Sequence, residues 1–467
     1  GVTGMKKRTF RIWLATAAAL LFALLAACGG ESNEVQTAPK QANEQQQSSQ
    51  ESTKQQEAEK EVKQEADEPA ELTFYSAGRD SEEAFNDRFG DAVRKKFPHY
   101  TIKYIQRVPE QTDVSNLLSS NTTFDLVFDS VGSFNGSVLE YELGEDLTEW
   151  IRKHNVDISN IEPSLIEAAK TMGGGKLVGL PVENSTKVIY YNQDIFDHYG
   201  VDYPTDGMTW SEFYNLAQRL NQSSEGRIVT GFSPAENHMI IQTPFSLPLV
   251  DPETHKSTFH DERWKTIIET ELLQFARNDV YQAAMKENND RIFRLPQFTQ
   301  DHLVAMFPEG QLLPIVLQED MSQFNWDIVS MPTYEELPGV GYQSYPTFIA
   351  ITTISKNKDA AMKVIEFLIS EEYQTEMSKK GNMTVLTDEN IQKMMGQESY
   401  FHDKNYGAFF YNQFAPIPLK SEYEMKINAY APLVRRFSEL ARGEVDINTL
   451  LREAEEEVNA LIQAAMQ

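Results

Sequence analysis

The stretch "LTFYSAGRDSEEAFNDRFGDAVRKKFPHYTIKYIQRVPEQTDVSNLLSSNTTFDLVFDS" spans residues 72–130. "LTFYSA" (72–77) is a short apolar run of strand length. "SEEAFNDRFGDAVRKKF" (81–97) carries Ala84, Phe85, Phe89, Ala92, Val93 and Phe97 at helical spacing, so one face of a helix is apolar. "YTIKYIQ" (100–106) alternates as a strand, "VSNLLSS" (114–120) makes a short helix, and "FDLVFDS" (124–130) is a second buried strand. Strands that alternate with helices predict an α/β protein with a mostly parallel sheet covered on both faces. In such sheets ligands collect outside the carboxyl ends of the strands. The loops to watch are therefore Gly78-Arg79-Asp80 and Asp129 to Phe134.

Downstream, Gly173-Gly174-Gly175-Lys176 makes a turn. Its glycines lack the spacing and the Ser/Thr of a phosphate-binding loop. "LVGLPVENSTKVIYYN" (177–192) reads as two extended runs joined through Pro181 to Ser185, with Tyr190 and Tyr191 as packing residues. "DIFDHYG" (194–200) is a short helix stopped by Gly200, and Thr209-Trp210-Ser211-Glu212 is a capping box ahead of another helix. Residues 235–310 are mainly helical, with Trp264 on a helix. "WDIVSMP" (326–332) and "TFIAITTIS" (347–355) return to strand, and Trp326 belongs to a core. "DAAMKVIEFLISEEYQTEM" (359–377) is a helix, as is the C-terminal stretch, with apolar positions Ile447, Leu450, Leu451, Ala454, Val458 and Leu461. No internal repeat is visible.

Upstream, residues 31–70 are rich in Glu, Gln, Ser, Lys and Ala. They hold too little apolar surface to offset ordering entropy, and read as a flexible tether or a helical stalk. Before them, Lys6, Lys7 and Arg8 precede an apolar run (12–26) of signal-peptide length, followed by Leu25-Ala26-Ala27-Cys28-Gly29. That junction resembles a bacterial lipobox. The resemblance implies a signal peptide over 1–27 and a lipidated Cys28 tethering the chain to a membrane. Cys28 is the only cysteine, so no intrachain disulfide forms. The formal charge is −28, and loss of the four leader cations (Lys6, Lys7, Arg8, Arg11) makes it −28 − 4 = −32. Such acidity excludes nucleic acid as a partner, because phosphate binding needs a concentrated basic surface.

Five segments in collinear order resemble the extracellular solute-binding proteins of maltose-binding-protein type. They are "GLPVENSTKVIYYNQDIFDHYGVDYPTDGMTWSEFYNLAQRL" (179–220), "DPETHKSTFHDERW" (251–264), "HLVAMFPEG" (302–310), "FIAITTISKNKDAAMKVIEFLISEEYQTEMSKKGNMTVL" (348–386) and "GEVDINTLLREAEEEVNALI" (443–462). The resemblance implies a periplasmic-binding-protein-like fold of two discontinuous α/β lobes. Lobe 1 would comprise 71–182 and 347–383, and lobe 2 would comprise 183–346 and 384–467, following the tether at 28–70. Crossovers would fall near Val182 to Asn184, Pro346 to Ala350 and Asn382 to Leu386. The implied partners are a small polar ligand, a sugar or oligosaccharide above others, and the permease subunits of an ABC importer. The implied state is a monomer on the extracytoplasmic face. A ligand-sensing lipoprotein and a binder of polyamines or other polar metabolites remain alternatives.

Sugar recognition needs aromatic faces for ring C–H patches and charged or amide groups for hydroxyls. Candidates are Arg79 and Asp80 after the first strand, and Asp129, Ser130 and Phe134 after the third. Glu183 and Asn184 lie in the crossover, and Phe232 and Glu236 in "GFSPAEN" (231–237). Phe307 and Glu309 sit in "MFPEG", and Tyr342 and Tyr345 in the Gly- and Tyr-rich loop 339–348. The resembled family often has tryptophan at the position of Phe307. No catalytic residue, metal site or cofactor is expected. The chain lacks G-x-S-x-G, H-E-x-x-H, C-x-x-C and Walker sequences, although Asp129 and Glu183 have the chemistry of a glycosidase carboxylate pair.

Overall fold

The computed structural model describes residues 68–467 apart from Arg79 and Glu225, so Arg79, Cys28, the leader and nearly all of the tether lie outside the described residues. Twelve strands occur in them. They are β1 (Ala70–Ser76), β2 (Tyr100–Gln106), β3 (Leu126–Ser130), β4 (Leu180–Glu183), β5 (Lys187–Asn192), β6 (Gln222–Ser224), β7 (Arg227–Val229), β8 (Met306–Gly310), β9 (Trp326–Ser330), β10 (Val340–Gln343), β11 (Thr347–Ile351) and β12 (Gln413–Ala415).

The first sheet has the order β2-β1-β3-β11-β4. β1 runs parallel to β2 and β3, with Leu72 opposite Ile102 and Phe74 opposite Leu126. β11 is antiparallel to both β3 and β4, so the sheet is only half parallel, where the alternating pattern predicts a mostly parallel one. The reason is the route of the chain. β11 does not follow a strand and helix of its own sheet. It enters beside the carboxyl end of β3, with Thr347 paired to Ser130, and must run the other way. The second sheet, β8-β5-β9, is wholly antiparallel, with Tyr190 between Phe307 and Ile328.

Each sheet organises its own core. Leu72, Phe74, Phe85, Phe89, Phe128, Ile349 and Ile365 pack around the first. Ile189, Trp210, Phe232, Trp264, Phe275 and Leu450 form the largest cluster beside the second sheet, and Tyr190, Phe298, Phe307 and Trp326 fill its other side. The chain leaves the first sheet between Glu183 and Lys187 and returns between Gln343 and Thr347. Near Met383 it touches both sides: Met383 packs in the second body, and Val385 and Leu386 in the first. The crossings are bonded together. Asn184 N donates to Met383 O (3.3 Å) and Tyr345 N to Ser185 O (2.7 Å). Gln311 Nε2 donates to Asn184 O (3.1 Å).

Helix ends follow local chemistry. The Thr209–Glu212 capping box forms, with Thr209 N donating to Glu212 Oε2 at 2.8 Å, and Gly200 takes the left-handed conformation (φ 62°) that ends its helix. The C-terminal helix Ile447–Ala465 buries Ile447, Leu450, Leu451, Ala454, Val458 and Ile462. Leu461 is exposed instead, because the buried stripe advances by four from Val458 to Ile462. The helix after β1 carries a widened turn at Asn86–Gly90 between Glu82–Phe85 and Asp91–Lys96. Among the described residues no helix is long and apolar enough to cross a membrane.

Candidate ligand-binding cleft

One cavity lies where the bodies meet and another beside the crossings. The first, about 600 Å³, opens at the carboxyl ends of β1, β2 and β3 and is faced by segment 418–426. Its lining is mixed: Arg107, Asp113, Ser133, Asn135, Lys420 and Lys426 supply polar and charged groups, and Val131, Leu139, Met172, Leu419 and Tyr141 supply apolar surface. Lys426 Nζ bonds Glu140 Oε1 at 3.0 Å and Glu422 Oε2 at 3.1 Å, linking segment 418–426 to the first body. The segment is seated by Glu424, whose buried carboxylate accepts the Leu249 (2.9 Å) and Val250 (3.3 Å) amides.

The second cavity, about 550 Å³, lies on the second body beside the crossings. Ser185, Lys187, His238, Gln242, Glu309 and Gln311 supply its polar groups, and Tyr345 belongs to its wall. Tyr345 also touches the wall of the first cavity: a Cβ built on Gly132 would sit 2.2 Å from the tyrosine hydroxyl oxygen. The glycine is what allows the two walls to approach.

The candidate residues divide accordingly. Glu309 and Tyr345 line the second cavity. Asp129 lies beneath the first, buried, accepting the Ser76 hydroxyl (2.9 Å) and the Ala77 amide (3.2 Å). Burial pushes its carboxyl above the ordinary range, opposed by bonds from Ser137, Ala77 and Ser76. Asp129 thus fixes the turn that carries Ala77, itself a lining residue. Asp80 and Glu183 grip one guanidinium, that of Arg88 in the widened turn, and Arg88 Nε reaches Glu183 Oε1 at 3.1 Å. Burial opposes this charge, but the two carboxylates outweigh it and hold the arginine pKa above its ordinary value. Asn184 is buried in the crossing, its Oδ1 accepting Ser185 N at 2.8 Å.

Phe134, Phe232 and Tyr342 line neither large cavity. Phe134 packs on Phe348 (5.7 Å between centroids), and Phe232 sits among Trp210, Phe213 and Phe275. Tyr342 turns inward and donates its hydroxyl to buried Glu271, which also accepts Tyr334 at 2.8 Å. Glu236 is buried against Arg294 (2.7 Å), and with Phe307 it borders a smaller pocket of about 260 Å³. Arg107, Lys187, His238, Gln311 and segment 418–426 line the cavities without standing out in the sequence. Lys187 had one signal, a lone lysine heading the apolar run "VIYYN".

Two α/β bodies joined by chain crossings, with one cavity at their seam and another beside the crossings, define a bilobal ligand-binding fold. The sequence matches the profile of the bacterial extracellular solute-binding proteins over residues 78–375, and the chain belongs to that family. Membership implies an extracytoplasmic location. Solved structures share the fold. An ABC substrate-binding protein from Listeria monocytogenes in complex with cycloalternan aligns with a TM-score of 0.61 at 18% identity, covering 85% of this chain and 100% of that one. A sugar transporter protein from Rhizobium etli in an open conformation gives 0.64 at 19% identity, covering 84% and 99%. The sugar-binding protein MalE of Xanthomonas citri gives 0.64 at 13% identity, covering 85% and 98%.

Proposed function

We propose that this chain is the substrate-binding component of an ABC importer and holds a sugar or oligosaccharide, without catalysis, in the cleft between its two bodies. The observation that carries the reading is the first cavity. It sits at the carboxyl ends of β1, β2 and β3, where open α/β sheets bind ligands. It combines charged groups for hydroxyls with the part-exposed ring of Tyr141, whereas Tyr75 is buried against Phe124. The similar Listeria protein holds cycloalternan, and the similar Rhizobium and Xanthomonas proteins are a sugar transporter and a sugar-binding protein. The lobes are assigned to 71–182 with 347–383, and to 183–346 with 384–467, save that packing groups Met383 with the second body and Val385 and Leu386 with the first. Closure about the crossings buries the ligand and presents one shape to the permease. Within the cleft, Glu309 and Tyr345 are assigned to ligand contact, and Asp129, Glu183 and Asn184 to holding its walls.

A thermal-shift panel of saccharides and polyamines tests this. A ligand at 100 times its Kd stabilises by about 2.7 kcal/mol, and stabilisation by polyamines with none by any saccharide would refute the sugar reading. Anchoring through a lipid on Cys28 is part of the proposal, with the chain acting as a monomer. Radiolabelled palmitate should mark the chain in a bacterial host and fail to mark Cys28→Ser. Equal label in both rejects the anchor.

A further inference from the structure

Lys187 opens β5 with its side chain buried, 5% exposed. Its Nζ donates to His238 O (2.7 Å) and Gln242 O (3.2 Å) and lies 4.4 Å from the centroid of the Tyr342 ring. An ammonium has three donors, and these carbonyls take two. No carboxylate among the described residues pairs with it: Glu271 and Glu309 act on it only from a distance. Buried charges are costly unless paired. The partners of Lys187, His238 and Gln242, line the second cavity with it.

None of the other charged and titratable groups facing this lysine bonds its ammonium. Glu271 receives both Tyr334 and Tyr342. Glu309 accepts its neighbour's amide, Gly310 N, at 2.9 Å and lies 3.5 Å from His238 Nδ1. Burial pushes the His238 pKa down, opposed by Glu309. Ile241, Leu295, Leu312, Leu313 and Val316 form the rest of the wall. Apolar walls lower the local dielectric and strengthen any charge pair made there. Ser185 and Gln311 line the same cavity, the Ser185 hydroxyl donating to Gln311 Oε1 at 2.8 Å.

We propose that the cleft takes an acidic saccharide, whose carboxylate pairs with Lys187 in the second cavity. This rests on the reading of the cleft as a saccharide site and names the class of saccharide. The acid group supplies the counter-charge that the fold withholds from Lys187, and the sugar ring lies along the apolar wall with its hydroxyls toward Ser185 and Gln311.

Titration calorimetry with trigalacturonate and with neutral galactotriose tests the proposal on the purified full chain and on Lys187→Gln. Trigalacturonate should bind more tightly, and the variant should lose about 10- to 100-fold for it, the worth of one charge-assisted bond, with little change for galactotriose. The wild-type protein also answers without any variant. Near pH 8 Lys187 is partly deprotonated, so binding the acid should take up protons, seen as heats that differ between buffers of different ionisation enthalpy. Equal affinity for both sugars with no proton uptake overturns the acidic class and leaves the saccharide reading standing. Failure to bind either of these or any other saccharide removes both.

Discussion

Replacing Lys187 by methionine tests how the buried ammonium couples stability to pH. Burial lowers the Lys187 pKa from 10.5 to about 8, offset only in part by Glu271 and Glu309. The folded chain therefore releases this proton near pH 8, and the unfolded chain holds it to 10.5. Between those values the unfolded state binds more protons, so this residue makes stability rise with pH. Below pH 8 both states carry the charge, and the folded state bears its full burial cost. With these two pKa values the wild-type chain should gain about 2–3 kcal/mol on the methionine variant between pH 7 and pH 10. Tyrosines and other groups that titrate in this range are common to both proteins and cancel in the difference. Urea unfolding at four pH values, followed by tryptophan fluorescence, gives that difference directly, since Trp264 and Trp326 report on the body that holds Lys187. A difference that stays flat from pH 7 to pH 10 would mean that the amine is fully hydrated or paired, and would refute the reasoning.

The contact between Gly132 and Tyr345 predicts that Gly132→Ala costs about 1–3 kcal/mol by overpacking. Tyr345→Phe should recover most of it, because the hydroxyl oxygen is the clashing atom while the next ring atom is 3.3 Å away. Melting temperatures of the two single variants and the double variant measure this, and a Gly132→Ala protein as stable as wild type would show that the walls do not meet. Arg88→Met strands Asp80 and Glu183 together, and should lower stability by about 1–2 kcal/mol. That figure is reduced from the fully buried case because the arginine side chain is 31% exposed. An unchanged urea midpoint would count against a structural role for the triad.

Local patterns were legible wherever a residue's partner lies within a turn or two. The capping box at Thr209–Glu212, the Gly200 stop, the strand at 100–106 and the stripe of the last helix all follow from spacing and short-range bonding. The candidate site was less legible. Phe232 and Tyr342 carry the chemistry of sugar-stacking rings, yet one packs among Trp210, Phe213 and Phe275 and the other donates to Glu271. An aromatic side chain suits a core and a cleft equally well, and only its neighbours decide. Arg88 was hidden for a related reason. It sits on a helix that reads as an ordinary amphipathic one, and its carboxylate Glu183 lies 95 residues away.

By itself, the sequence determined the α/β class, the placing of most strands and helices, and the acidity of the chain, because periodicity and charge are properties of neighbouring residues. Tertiary structure alone decided that β11 runs against β3, that Gly132 sits beneath Tyr345, and that the buried ammonium of Lys187 faces a cavity with no carboxylate paired to it. Those features depend on where distant segments meet in space, and the crossings at 183–187 and 343–347 set that meeting.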